Sequence, residues 1–157
     1  MNSKLFTCVT LGLLLVFNIV PQSAFALEKA DVQAAVELFF QNLSDKTIDK
    51  AAAVCDMPAA IVDEFPPHFW YGPTACADWW KALRTYNKES GITGDSATLG
   101  DPWSVDVTAD RAYYVAPATY TYNQHGKVVT EAHAVFTVAL RRTEAGWRIT
   151  SWTWSKH

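Results

Sequence analysis

The sequence lacks several features that mark common functional classes. It has no run of basic residues beyond the Arg141-Arg142 pair, and its formal net charge is −3. A mildly acidic chain without a basic patch is poorly suited to binding nucleic acid. We therefore expect no nucleic-acid partner.

Motifs for cofactors and metals are missing as well. The sequence has no glycine-rich phosphate loop, no Gly-x-Ser-x-Gly elbow and no His-Glu-x-x-His segment. Its four histidines do not have the spacing of metal ligands: His68, His125, His133 and His157. We expect no cofactor and no metal site.

The N-terminus, by contrast, has the pattern of an export signal. Lys4 precedes an apolar segment from Leu5 to Val20, and Ala24-Phe25-Ala26 forms a small-x-small cleavage site. The apolar segment is short for a membrane span. We expect cleavage after Ala26, with an uncleaved anchor as the alternative.

Cleavage would divide the chain into a signal peptide at residues 1–26 and one domain at residues 27–157. The remaining 131 of the 157 residues are enough for a single domain with a hydrophobic core. The sequence contains no second membrane segment, repeat or low-complexity tract. We expect a periplasmic or secreted protein without a stable membrane anchor after cleavage.

Two cysteines remain in that domain, Cys55 and Cys76. An oxidising compartment permits a disulfide. Closing a loop of about 20 residues would stabilise the fold by roughly 3 kcal/mol in the chain-entropy model. Spacing alone does not give the distance between the two Cα atoms, so two separate buried thiols remain the alternative.

The spacing of apolar residues predicts an α+β fold. Residues 28–43, 46–55 and 73–89 have helical periodicity, and residues 59–65 form a short strand between the second and third helix. The second half changes to strand periodicity, at residues 97–108, 111–122, 127–142 and 147–156. Short turns between these strands favour antiparallel pairing, so we predict three N-terminal helices and a curved antiparallel sheet.

Motifs in this order resemble the nuclear transport factor 2-like superfamily, in its SnoaL-like and ketosteroid-isomerase-like branch. The matching segments are Ile61-Val62-Asp63-Glu64-Phe65, Trp70-x-Gly72-Pro73 followed by Trp79-Trp80, Asp110-Arg111-Ala112-Tyr113, and Ala145-Gly146-Trp147-Arg148-Ile149-Thr150. The resemblance covers about Leu27 to Lys156. It implies a cone-shaped fold, in which the bent sheet and the helices enclose a pocket. Proteins of this superfamily are isomerases, dehydratases, hydrolases, cyclases or plain binding proteins, so the fold alone does not fix the function.

The resemblance also implies a catalytic carboxylate at the position of Asp63. A carboxylate in apolar surroundings has a raised pKa and can serve as a general base. A purely structural role of Asp63, accepting hydrogen bonds from the following turn, is the alternative. His133 could polarise a carbonyl opposite Asp63 if its face of strand 127–142 lines the pocket. Alternation does not decide which face is inside, and Glu131 shares the face of His133 if the strand is regular.

Aromatic residues and one further histidine complete the predicted site. The candidate ligand-binding residues are His68, Trp70, Tyr71, Trp79 and Tyr113. We expect the ligand to be a small, mostly apolar molecule and the reaction, if there is one, to be a cofactor-free proton transfer. The alternative is a non-enzymatic binding or accessory protein. Trp152 and Trp154 alternate onto one strand face, which would mark a homodimer interface if that face is exposed.

Overall fold

A computed structural model describes residues 22–156 of the chain. These residues form three helices and seven strands, in the order α1 (Gln22–Ser44), α2 (Ile48–Val54), β1 (Cys55–Val62), β2 (Phe69–Gly72), α3 (Ala75–Glu89), β3 (Ile92–Leu99), β4 (Ser104–Thr108), β5 (Arg111–Gln124), β6 (Lys127–Thr143) and β7 (Gly146–Ser155). Most of the expected signal peptide lies outside the described residues. None of the three helices within residues 22–156 is long and apolar enough to cross a membrane.

All seven strands belong to one curved, open sheet. Its order is β2-β1-β7-β6-β5-β3, and β4 also pairs with β5. The pairing of β1 with β7 is parallel, and the other pairings are antiparallel. The predicted α+β fold is confirmed, although the sheet is mixed rather than wholly antiparallel. The parallel pair arises because β1 and β7 come from opposite ends of the domain and no tight turn joins them.

Helix α1 packs the apolar stripe that the sequence predicted onto the rest of the domain. Val32 and Val36 are fully buried, and Phe39 is 1% exposed. The Phe39 ring lies 6.4 Å from the ring of Trp79 on α3 and 6.3 Å from that of Trp152 on β7. A core of aromatic rings therefore joins both helices to the concave face of the sheet.

Strand β2 was not predicted, because its aromatic residues follow a double proline and resemble a loop. It pairs with β1 in a hairpin, with Trp70 opposite Ile61 and Tyr71 opposite Ala60. Trp70 is buried beside Phe65, whereas Tyr71 is 70% exposed. The strand thus presents one aromatic residue to the core and the next to the outside, as strand alternation requires.

A disulfide joins Cys55, the first residue of β1, to Cys76 in the first turn of α3, with the two Cα atoms 6.6 Å apart. It joins the start of α3 to the start of β1, whereas Asp63 follows the other end of β1. At the other end of α3, Gly91 has a φ of +69° and a Cβ there would lie 2.6 Å from the ring of His125. Glycine is required at this helix end both for its backbone conformation and for space.

Strand β6 contains a bulge that reverses its alternation. Ala118 pairs with Ala134, but Tyr120 pairs with Glu131, so two residues of β6 oppose one residue of β5 between these pairs. His133 lies in the bulge with a φ of +71°. On one side of the bulge the even-numbered residues of β6 face the core, and on the other side the odd-numbered residues do.

Candidate functional site

A cavity of about 350 Å³ lies between α1, α3 and the concave face of the sheet. Six aromatic rings form much of its wall: Phe39, Phe40, Trp79, Phe136, Trp152 and Trp154. Polar side chains also line the cavity: Asp63, Glu64, Asn87, Tyr120, Tyr122, Glu131 and Lys156. Apolar walls with a few placed polar groups are typical of small-molecule sites, and this volume is near the lower end of the usual range.

Asp63 lies directly after β1, at the wall of this cavity. The residue is only 8% exposed. Its Oδ2 accepts a hydrogen bond of 2.8 Å from Nε1 of Trp79, and its Oδ1 accepts one of 2.7 Å from the backbone N–H of Glu64. The disulfide end of α3 and the end of β1 therefore fix the carboxyl group in one orientation. Each oxygen keeps a lone pair for a further hydrogen or a proton.

Burial raises the pKa of Asp63 from 3.8 to about 6. The hydrogen bonds from Trp79 and Glu64 act in the opposite direction, but they do not compensate for the loss of solvent. A carboxyl group with a pKa of about 6 is ionised at neutral pH and binds a proton more tightly than an exposed aspartate does. These are the properties of a general base.

Asn87 and Tyr120 form a second polar group at the cavity. Asn87 is 1% exposed, and its Nδ2 donates a hydrogen bond of 3.0 Å to the hydroxyl of Tyr120. Burial, and next the charge of Asp95, raises the pKa of Tyr120, so its hydroxyl keeps its hydrogen at neutral pH. Because that hydroxyl accepts from Asn87, its own hydrogen is available for a ligand.

Lys156 links two carboxylates at the same cavity. Its Nζ lies 2.9 Å from Oε1 of Glu64 and 2.9 Å from Oε1 of Glu131. The hydroxyl of Tyr122 donates a further hydrogen bond of 2.9 Å to Oε1 of Glu131. Burial lowers the pKa of Lys156, but the bonds to Glu131 and Glu64 outweigh this effect and raise it overall. Lys156 therefore remains charged.

The structure places one of the five predicted ligand-binding residues, Trp79, at the cavity wall. Trp70, Tyr71 and Tyr113 do not line it, because Trp70 packs against Phe65 and the other two lie on the outer face of their strands. His68 is exposed, and its Nδ1 lies 3.2 Å from the backbone oxygen of Asp63. Its contact with the Asp63 loop is therefore made with the backbone, outside the cavity.

His133 does not face Asp63 across the cavity, and this geometric expectation is wrong. His133 lies on the outside with the other odd-numbered residues from 133 to 141 and is exposed, whereas the bulge turns Glu131 inward. Sequence alternation had placed both residues on one face. A regular strand would have kept them together, but the extra residue of the bulge separates them.

Trp152 and Trp154 share one strand face, as the sequence predicted, but that face is not exposed. Trp152 is 2% exposed and Trp154 is partly buried, and both line the cavity. Their shared face is the inner face of the sheet, so it supplies no exposed aromatic surface for a homodimer. The remaining exposed aromatic residues of note lie elsewhere, on β2 and at Trp103.

Sequence reasoning missed Asn87 and Lys156 as site residues, whereas Tyr120 was among the tyrosines considered as possible oxyanion donors. For Asn87 the sequence contains a signal, because it continues the apolar stripe of α3 through Cys76, Trp79 and Leu83 at helical spacing. A polar residue on such a stripe indicates a buried hydrogen-bonding role. Lys156 has no comparable signal, since it depends on how the end of β7 meets β6.

Residues 22–156 contain no group of three or more histidine, cysteine or acidic side chains arranged to hold a metal ion. The polar groups of the cavity are instead hydrogen-bond donors and acceptors, of which Asn87 and Asp63 are 1% and 8% exposed. The arrangement can bind a small molecule and exchange protons with it.

The fold is the one found in solved structures of nuclear transport factor 2-like proteins, and it is the fold that the sequence resemblance implied. No protein-family model and no curated protein matches the chain. A solved structure of a candidate dehydratase of this family from Streptomyces avermitilis aligns with a TM-score of 0.70 and 16% identity, over 84% of this chain and 97% of the other. Because the sequence identity is low, this likeness establishes the fold alone.

Two further solved structures with this fold carry different names. A ketosteroid isomerase-like protein from Erwinia carotovora atroseptica aligns with a TM-score of 0.65 and 17% identity, over 82% of this chain and 95% of the other. A hexachlorocyclohexane dehydrochlorinase of type 2 aligns with a TM-score of 0.67 and 12% identity, over 84% of this chain and 89% of the other. The same fold thus occurs with several activities.

Proposed function

We propose that the protein binds a small, mostly apolar molecule in its cavity and moves a proton on it, with Asp63 as the base and without a cofactor. The observation that carries this proposal is the position of Asp63. Its carboxyl group is 8% exposed at the wall of an aromatic cavity, and burial raises its pKa to about 6. A structural hydrogen-bond acceptor alone would not need to face that cavity.

In the proposed reaction Asp63 removes a proton from a carbon next to a carbonyl group. The C–H electron pair moves into the carbon–carbon bond, the carbonyl oxygen gains negative charge, and Asp63 becomes a neutral carboxylic acid. Where the molecule also has a carbon–carbon double bond adjacent to the carbon that lost the proton, the negative charge extends over a dienolate. Asp63 then returns the proton to the far carbon of that double bond, the double bond moves into conjugation with the carbonyl group, and the isomerisation is complete without net oxidation. The hydroxyl of Tyr120, at the same cavity, is a hydrogen-bond donor that can stabilise the charged oxygen.

The names of the structural neighbours support a reaction of this class. One is a candidate dehydratase, one is isomerase-like and one is a dehydrochlorinase. Elimination and isomerisation can both start with removal of a proton from carbon. At identities of 12 to 17% these names indicate a range of chemistry rather than a substrate.

Deuterium exchange at a ketone tests the proposal without knowledge of the natural substrate. Tetralone, a bicyclic aryl ketone with exchangeable hydrogens next to its carbonyl, is incubated with the protein in deuterated buffer and followed by NMR. We expect exchange above the buffer rate, and an Asp63→Asn variant should lower it about 100-fold or more. Asp106→Asn, an exposed residue of β4, is the matched control and should retain the full rate.

Exchange that is unchanged in Asp63→Asn would exclude Asp63 as the base. Bound tetralone without any exchange in the natural protein would leave binding as the function. Chemical-shift perturbation in the same samples separates these outcomes, since it reports binding independently of exchange.

We also propose that the protein is exported and acts in the periplasm or outside the cell. The N-terminal sequence supports this, and the pairing of Cys55 with Cys76 suits an oxidising compartment. Helix α1 extends back to Gln22, so cleavage after Ala26 would leave a helix that begins near Leu27. Cell fractionation and N-terminal sequencing test this, with Leu27 as the expected first residue.

A surface on β2 favours a second function, contact with a protein partner or a second copy. Phe69 and Tyr71 are 57% and 70% exposed, and their rings stack in parallel with centroids 6.4 Å apart. They lie on a strand at the edge of the sheet, which has a free side for pairing. Light scattering of the natural protein and of Phe69→Ser tests this. A homodimer that the variant dissociates would support it, and a monomer would exclude self-association.

A further inference from the structure

We propose that Glu131 and Asn87 form a second, polar subsite in the cavity, which binds a hydroxyl group of the ligand. The inference rests on the proposed function in taking the cavity as the ligand site, and it narrows the ligand to apolar molecules that carry a hydrogen-bond donor. Three independent features of the structure support it: the bulge in β6, the free acceptor atoms and the charge of the cavity.

The bulge brings Glu131 into the cavity at a cost in backbone strain at His133. His133, in the bulge, adopts a φ of +71°, a conformation that few residues other than glycine adopt. Without the bulge, Glu131 would lie on the outer face with the other odd-numbered residues of β6, such as Arg141. Bulges of this kind are frequent next to functional sites, where they re-aim a side chain.

Glu131 has one carboxylate oxygen without a partner. Its Oε1 accepts hydrogen bonds from the hydroxyl of Tyr122 and from Nζ of Lys156, both at 2.9 Å. Its Oε2 is buried and has no hydrogen-bond partner within residues 22–156. A buried acceptor without a partner is costly. A donor group on a ligand in the cavity would satisfy it.

Asn87, on α3, provides a second free acceptor. Its side chain lines the cavity, and the residue is 1% exposed. Its Nδ2 donates to Tyr120, while its Oδ1 is buried and lacks a partner within residues 22–156. Tyr120 is also the residue that pairs with Glu131 across β5 and β6. Asn87, Tyr120 and Glu131 therefore form one continuous polar side of the cavity.

The charges of the cavity favour a neutral donor over an anion. Four carboxylates line it, Asp63, Glu64, Asp95 and Glu131, whereas its wall contains a single lysine, Lys156. Asp95 is neutralised by two hydrogen bonds from Arg84, at 2.8 and 2.9 Å. A carboxylate or phosphate ligand would meet an excess of like charge. A hydroxyl can donate to Glu131 or Asn87 without that repulsion.

Three matched tetralones test the subsite, one with a hydroxyl, one with a methoxy and one with a carboxylate group on the aromatic ring. Their dissociation constants are measured by calorimetry with the natural protein. We expect the hydroxyl compound to bind about tenfold more tightly than the methoxy compound, which cannot donate. The carboxylate compound should bind more weakly than both.

Glu131→Gln should reverse the preference for the hydroxyl compound. Tyr122 and Lys156 both donate, so the amide oxygen would stay with them and the amide nitrogen would take the place of Oε2. The site would then donate where it had accepted, and the methoxy compound should bind at least as tightly as the hydroxyl compound. Glu144→Gln, an exposed residue of the β6–β7 turn, is the matched control and should retain the natural preference.

A loss of stability in Glu131→Gln with an unchanged ratio of the two affinities would make Glu131 a structural residue and overturn the subsite. Equal affinity of the natural protein for the hydroxyl and methoxy compounds would also overturn it. If Asp63-dependent exchange of tetralone persists in that case, the proposed function stands without the subsite. Failure of all three compounds to bind would overturn both proposals.

Discussion

Two carboxylates, Asp63 and Glu131, face the same cavity from different strands, and their surroundings are opposite in character. Within residues 22–156 the carboxyl group of Asp63 receives hydrogen bonds only from a tryptophan N–H and a backbone N–H, and burial raises its pKa. Glu131 has a lysine and a tyrosine hydroxyl on one oxygen. The surroundings of the first carboxylate favour its protonated form, whereas the second carboxylate is bonded to a lysine and a tyrosine hydroxyl.

This difference shows how one cavity can divide two tasks between similar groups. A carboxylate that must take up a proton benefits from apolar surroundings, which favour its neutral form. A carboxylate that must accept a hydrogen bond from a ligand benefits from a fixed charge and a fixed orientation. Substitutions near Asp63 or near Glu131 should alter one of the two carboxylates at a time, and the largest effects are expected near Asp63.

The largest effect concerns the pH dependence of stability. Because the folded protein holds the Asp63 proton more tightly than the unfolded chain does, the free energy of unfolding falls as pH rises from 3.8 to about 6. The shift corresponds to about 3 kcal/mol, at roughly 1.4 kcal/mol per pKa unit. Asp63→Asn removes this contribution, so its stability relative to the natural protein should increase by about that amount between pH 4 and pH 7.

Urea unfolding at several pH values measures this difference. Asp106→Asn serves as the control, since that residue is exposed, and its curve should run parallel to that of the natural protein. If the curve of stability against pH for Asp63→Asn also ran parallel to that of the natural protein, Asp63 would ionise as an ordinary aspartate. The contrast with Glu131 would then disappear.

Trp79→Phe should make the surroundings of Asp63 still more apolar. The variant removes the N–H that donates to Oδ2 of Asp63, and that hydrogen bond lowers the pKa. The pH midpoint of deuterium exchange at tetralone should therefore move above about 6, while the maximum rate at high pH is retained. The loss of a hydrogen bond to a charged group should cost about 2 kcal/mol of stability at pH 8.

The control for this variant is Trp103→Phe, which changes a tryptophan that is 65% exposed. Its pH midpoint should equal that of the natural protein. A midpoint that moves downward in Trp79→Phe would mean that the indole N–H does not stabilise the Asp63 carboxylate.

Glu131→Gln should have a smaller effect on stability than either change near Asp63. Lys156 is about half exposed and keeps its bond to Glu64, so the lost attraction is partly screened by solvent. We expect a loss of about 1 kcal/mol at low salt and less at high salt. Thermal unfolding at two salt concentrations, with Glu144→Gln as the control, measures it. A loss that does not respond to salt would indicate a packing defect rather than a lost ion pair.

The smallest effect is expected at the bulge. His133→Gly places glycine where φ is +71°, which relieves strain but adds flexibility to the unfolded chain. The net change in stability should be within about 1 kcal/mol, and exchange at tetralone should be retained. Thr130→Gly, in the same strand without a positive φ, should destabilise the protein instead. Loss of exchange in His133→Gly would show that the bulge histidine takes part in the reaction.

Several features of the fold could be predicted from local sequence. The stripe of Val32, Val36 and Phe39 defines α1, and the alternating second half defines the long strands, because burial of apolar residues selects their period. The first strand was predicted at residues 59–65, and the structure has it at Cys55–Val62, with Asp63 directly after its end. Cys55 and Cys76 were identified as a possible pair, but only the packing of α3 on β1 brings them together.

The amino-acid sequence by itself determined the α+β class, the helical stripes and the carboxylate at the end of β1, since each depends on residues that are neighbours in the chain. The tertiary structure decided the parallel pairing of β1 with β7, the entry of Asn87 into the cavity and the inward turn of Glu131 in place of His133. The physical reason is that strand register and bulges depend on pairing between distant segments. A single extra residue in β6 moves the side chain of Glu131 into the cavity and leaves that of His133 outside.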